Sequence, residues 1–412
     1  MVETFSTKFW IKISLLNLLI VAAIGVLMRY KIGFEFDYLD QKHLQYAHSH
    51  FAFCGWVTQT LFVLIVLFLK SNLNGLRIKR YNILLLTNLG CAYFMLLSFS
   101  VEGYGLFSIF FSTLSVFVSY VFAYWCYNDL NKLKSHHSSV LWLKASLVFS
   151  VLSSIGTFAL AYMMATKNLP QHFYLASVYW FLHFQYNGWF FFACVGLFIA
   201  YLKSHFPLFK PSNSIFWLFS LSCIPAYGLS TLWLELPIWI YIIIVMGAFA
   251  QVFGWIILLS SLKKISFLKY IHFSTLSRFL FVALAIALSI KLGLQLISTI
   301  PAVSKLAFGF RPIVIAYLHL ILLAIISVFL ITYIYTNHLI SINNYTEGGL
   351  IIFGLGVFIN EITLAIQGIA SLSYNVVPYI NTVLFINSVV LFSGLILLFT
   401  ANRAISYQGK AV

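Results

Sequence analysis

The sequence predicts an all-α, polytopic membrane protein of twelve transmembrane helices. Three observations carry that expectation. Of 412 residues, 62% are hydrophobic and 8% charged, against about 25% charged in a soluble domain. The mean hydropathy is +0.98. Apolar runs of spanning length recur from one end of the chain to the other, near 9–28, 50–70, 82–101, 104–125, 140–165, 173–202, 215–235, 237–262, 279–297, 313–335, 349–371 and 380–402. Backbone groups in hydrocarbon must bond within their own segment, so a run of roughly 20 residues crosses as a helix. Little chain remains for a soluble domain, and 1–412 reads as one transmembrane domain. The first run is too long for a cleavable leader and no small-residue cleavage site follows it, so it is expected to persist as helix one.

Basic residues orient the spans. With a cytoplasmic N-terminus, fifteen lysines and arginines fall inside, among them Lys70, Arg77, Lys79, Arg80, Lys263, Lys264 and Lys269, while Arg29, Lys31, Lys42, Lys167, Lys305 and Arg311 fall outside. The positive-inside rule then puts both termini in the cytoplasm, and the expected location is the inner, cytoplasmic membrane of the cell. The net charge of +15 lies in short loops beside helix ends, so lipid headgroups are the expected anionic partner and nucleic acid is not. Cys54, Cys91, Cys126, Cys194 and Cys223 contain no CxxC pair, and no disulfide framework is expected.

A repeat organises the spans. HFAFCGW at 50–56 and HFQYNGW at 183–189 agree at four of seven positions, 133 residues apart, and a further 136 residues lead to His319 in AYLHLILLA. Gly25, Gly156 and Gly293 precede these histidines by 25, 27 and 26 residues. The histidines fall on spans two, six and ten, so the chain reads as three pseudo-equivalent groups of four helices, approximately 1–135, 136–270 and 271–412. An even number of helices per group keeps one topology throughout and allows rotation about the membrane normal to relate the groups. His50, His183 and His319 would then lie at one depth. Such histidines either hydrogen-bond across the bundle as glue or form a functional polar ring, and neutral imidazole suits iron, copper or zinc in a low-dielectric setting.

Twelve helices in three groups of four, with histidines on spans two, six and ten, resemble subunit I of the haem-copper oxidase superfamily, which includes cytochrome oxidases and nitric oxide reductases. The resemblance covers the whole chain as architecture and a few residues as motif. It implies that His50 and His319 are axial ligands of a low-spin haem and that His183 binds copper. YLHLI supplies only His319 where active members have a second histidine, SLSCIPAYGLS has none where they have an adjacent pair, and Asn187 stands where an oxidase tyrosine is expected. The oxygen-reducing binuclear centre is therefore incomplete. AHSHFAFCGW is also similar to the HAHxxxxGF phrase of NnrS-type membrane proteins, linked to nitric oxide response and to haem and copper, which makes His48 a further candidate ligand.

At about 100° per residue, His48 and His50 diverge by about 200° on a helix, and the repeat favours His50 for the inward place. His43 and His172 share the faces of His50 and His183 and read as interfacial histidines; His136, His137, His205, His272 and His338 read as solvated loop residues. Glu361 in span eleven and Lys291 in span nine stand out as intramembrane charges: the acid is a proton-path residue or a hydrogen-bond partner of Gln367, the lysine an ion-pair partner or a snorkelling side chain. Asn187 and Cys54 occupy equivalent places and read either as groups orienting the imidazoles or as small packing residues; Gly55–Trp56 and Gly188–Trp189 read as close approach with a filling ring.

The expected function is thus that of a haem- or copper-binding membrane protein, with cofactor candidates His50 and His319 and metal candidates His48, His50, His183 and His319. Its role would be electron transfer, nitric oxide or oxygen response, or assembly of a respiratory complex, beside a redox partner or respiratory subunits. If it is an enzyme it is an oxidoreductase of that type. The competing expectation is a proton-coupled secondary transporter with a histidine-lined path.

Overall fold

A computed structural model describes residues 5–34, 36, 38–133, 138–206, 209–234 and 236–401, with the side chains of 305–308 also outside the description. Twelve helices are long and apolar enough to cross a membrane. In chain order they are α1 Thr7–Gly33, α2 Gln41–Asn72, α3 Ile78–Glu102, α4 Leu106–Leu130, α5 Ser138–Ala165, α6 Gln171–His205, α7 Asn213–Thr231, α8 Ile238–Lys264, α9 Thr275–Ile297, α10 Arg311–Thr336, α11 Asn344–Leu372 and α12 Ile380–Ala401. No strand occurs among the described residues. A short helix, Pro301–Gly309, precedes α10.

Side-chain oxygens cap several of these helices by accepting otherwise orphaned backbone N–H groups. Asp40 accepts from Lys42 N at 2.7 Å and His43 N at 2.9 Å, Ser274 from Ser277 N at 3.1 Å, and Asn343 from Thr346 N at 2.9 Å. Inside α7, Pro225 cannot donate to the preceding turn, and the helix tightens to a 3₁₀ turn over Tyr227–Thr231. The span consequently ends before the 235 expected from hydropathy.

Consecutive helices pack side by side, α4 meets α5, α8 meets α9, and α12 packs on α1 to close the bundle. Three helices run through the middle. The apolar window of α2 is 78% buried and that of α6 61%, against 22% for α4. Trp56 of α2 donates through Nε1 to Ser327 Oγ of α10 at 2.8 Å, Phe62 of α2 meets Trp189 of α6, and Phe198 and Tyr201 of α6 meet Phe329 and Tyr333 of α10.

Each of these central helices changes winding at one place. Phe51–Thr58, Phe184–Phe190 and Leu320–Ser327 are π-helical, and each begins at the residue after His50, His183 or His319. A π turn has an extra residue and leaves carbonyls for other donors. In α2, Asn88 Nδ2 donates to the Cys54 carbonyl at 3.3 Å and Asn17 Nδ2 to that of Gly55 at 2.5 Å. In α6, the Cys223 thiol lies 3.8 Å from the Asn187 carbonyl. In α10, Ser327 Oγ donates to the Leu322 carbonyl at 2.7 Å, five residues back.

Candidate functional site

His183 is buried between α6 and α7. Its Nε2 lies 2.8 Å from the Cys223 carbonyl, and a carbonyl only accepts, so Nε2 carries the proton. Nδ1 accepts from Asn187 Nδ2 at 3.1 Å. Asn187 therefore does orient an imidazole, while its repeat-equivalent Cys54 touches Asn88 instead, through Sγ to Oδ1 at 3.4 Å. With both ring nitrogens engaged, His183 has no lone pair left for a metal.

His50 sits against α3. Its ring stacks on Phe99 at 4.1 Å between centroids, and the Tyr104 hydroxyl lies 3.1 Å from Nε2. His48, two residues earlier, turns the other way toward α1. A Cβ placed on Gly25 would stand 3.6 Å from its Cε1, and its Nδ1 is buried without a hydrogen-bond partner.

His319 of α10 lies within electrostatic reach of His48, and Arg29 of α1 within reach of both. His319 Nδ1 is 2.9 Å from the Ile315 carbonyl, so Nδ1 is protonated and Nε2 holds the lone pair. Anchoring one imidazole nitrogen on a carbonyl while presenting the other is how metal-binding histidines are commonly oriented. The helix wheel separates His48 from His50: His50 meets Phe99 and Tyr104, and His48 faces Gly25 of α1. On sequence Arg29 reads as a loop cation; α1 continues to Gly33, and the half-buried guanidinium belongs to the bundle.

His319, anchored through Nδ1 on Ile315, and His48, whose Nδ1 is unpartnered, have the donor chemistry that a haem or metal takes. His50 fits less well, because the Tyr104 hydroxyl and the Phe99 ring already cover it, and His183 does not fit. No group of three or more His, Cys, Asp or Glu side chains able to hold a metal occurs among the described residues.

A second polar group lies between α8 and α9. Lys291, buried, donates through Nζ to Gln295 Oε1 at 2.6 Å, and Gln295 Nε2 donates to Gln251 Oε1 at 2.7 Å. Cys223 and His183 are within its electrostatic reach. The lysine is therefore a buried cation with an amide partner, neither of the two alternatives read from sequence. Glu361 accepts from Asn360 Nδ2 at 3.2 Å rather than from Gln367. His43 packs on Gly103, where a Cβ would stand 2.6 Å from His43 Nε2 and whose positive φ of 62° favours glycine; His172 stacks on Trp233 at 5.5 Å. His136 and His137 lie outside the described residues. No family model matches the chain, and no curated protein matches it.

Proposed function

We propose that the chain is a membrane haem- or copper-binding protein whose ligands are His48 and His319. The observation that carries this reading is the buried, unpartnered His48 Nδ1 beside a His319 whose Nδ1 is fixed on Ile315. When bound, such a group supplies one-electron transfer or capture of a small gas. The chain's own residues do the rest. Ile315 holds the His319 ring, Arg29 offers a guanidinium to a carboxylate on the ligand, and the surrounding bundle excludes water. The role we favour is electron transfer, nitric oxide or oxygen response, or assembly of a respiratory complex, in the manner of a haem-copper oxidase subunit I without its binuclear centre.

The three groups of four helices belong to the same proposal. They are supported by the three π segments at equivalent places and by the joints α4–α5, α8–α9 and α12–α1; Gly25 faces His48 and Gly156 faces Phe181, the repeat equivalent of His48, while Gly293 has no such neighbour. Cytoplasmic termini follow from the loop charges.

The test is an absorption spectrum and metal analysis of protein extracted from membranes. Haem or copper should be present, and His48→Ala and His319→Ala should each abolish it, while His183→Ala should not. Absence of both groups from protein expressed with iron, copper and haem supplied would sink the reading. The Lys291–Gln295–Gln251 chain beside His183 favours a second reading, a proton-coupled transporter, which requires proton-linked uptake that disappears in Lys291→Met.

A further inference from the structure

We infer that a groove between α6, α8, α9 and α10 holds one anionic phospholipid. The cavity measures about 820 Å³, within the roughly 300–1,000 Å³ of small-molecule sites. Its deep walls are hydrocarbon and aromatic, with Phe198, Phe281, Ile326 and Phe329 among them. The polar atoms on these walls pair with each other: Trp255 Nε1 donates to Ser289 Oγ at 2.9 Å, and Ser289 Oγ donates to the Ala285 carbonyl at 2.7 Å. The depth of the groove therefore suits an acyl chain.

Charge is confined to the mouth. Lys263, in the last turn of α8, and Lys269, in the 3₁₀ turn that follows, are exposed and line the groove, and no carboxylate is among its described lining residues. Along α9 the lining runs from Phe281 to Ile290, roughly 14 Å of helix, or about half of the roughly 30 Å hydrocarbon core. Val282, Ile286 and Ile290 recur every fourth residue on its side and are 39%, 54% and 50% exposed, so the groove is open laterally. Two cations at the surface above hydrocarbon that extends for one leaflet match a lipid with a net negative head. A zwitterionic head carries no net charge for the lysines.

Native mass spectrometry of the full chain, delipidated in detergent and offered equal amounts of dioleoyl phosphatidylglycerol and dioleoyl phosphatidylcholine, tests this. One phosphatidylglycerol should be retained in preference. The preference should fall about fivefold for each of Lys263→Gln and Lys269→Gln, the attraction expected between a lysine and an anionic leaflet. Ile286→Trp, on the open side, should reduce retention of both lipids without unfolding the protein. Equal retention of the two lipids, a preference that survives the double lysine variant, retention indifferent to Ile286→Trp, or a polypeptide retained in place of lipid would each overturn the proposal.

Discussion

Burying an imidazole in a membrane leaves two ring nitrogens to satisfy, and at His183 protein groups satisfy both, the Cys223 carbonyl at 2.8 Å and the Asn187 amide at 3.1 Å. The carbonyl is free for this because the helix carrying it tightens after Pro225, so the Tyr227 N–H bonds Ile224 and Pro225 instead. A proline on one helix and a histidine on the next thus complete one another. His183→Ala removes the ring and strands the Cys223 carbonyl and the Asn187 amide. At about 1–3 kcal/mol for each stranded buried group, the thermal unfolding midpoint of the purified protein should fall clearly. The same variant should keep any haem or copper held at His48 and His319. An unchanged midpoint would show that the His183–Cys223 hydrogen bond does not hold α6 to α7.

At the scale of elements, the spans were legible because apolar length is a property of the chain alone: the run at 140–165 became Ser138–Ala165 and that at 380–402 became Ile380–Ala401. The short helix Pro301–Gly309 and the π segments were not legible. A π turn differs from an α turn by one residue, and its freed carbonyls are met by Asn17 and Asn88 from other helices, a tertiary fact. The site divides the same way. Periodicity told that His48 and His50 face apart, but only packing against Gly25 on one side and Phe99 on the other told which neighbour each meets. Deleting Ala52 should return the π segment of α2 to α-helical winding and turn His48 by about 100° relative to the rest of the helix. A thiol-bridging reagent should link Gly25→Cys to His48→Cys in the full-length chain and fail after the deletion. Persistent linking would mean that the extra residue does not set the ring's direction.

For the whole molecule, the closure of α12 on α1 and the even number of spans put the start of α1 and the end of α12 at the same end of the bundle, and the proposal that this end is cytoplasmic rests on the loop charges. Moving a lysine or arginine across a bilayer costs far more than leaving it in place, so an imbalance of fifteen to six in loops and at helix ends favours that insertion. The proposed topology can be read with thiols, because four of the five native cysteines are buried and Cys54 is half-buried. Asn74 lies in the turn between α2 and α3, and Thr166 in the turn between α5 and α6; both are exposed. These turns are at opposite ends of the bundle. In intact cells a membrane-impermeant thiol reagent should label Thr166→Cys, whereas Asn74→Cys should be labelled only after permeabilisation. The reverse pattern would invert the orientation, and labelling of both in intact cells would break the alternation of the first five spans, and with it the common depth of the histidine-bearing helices.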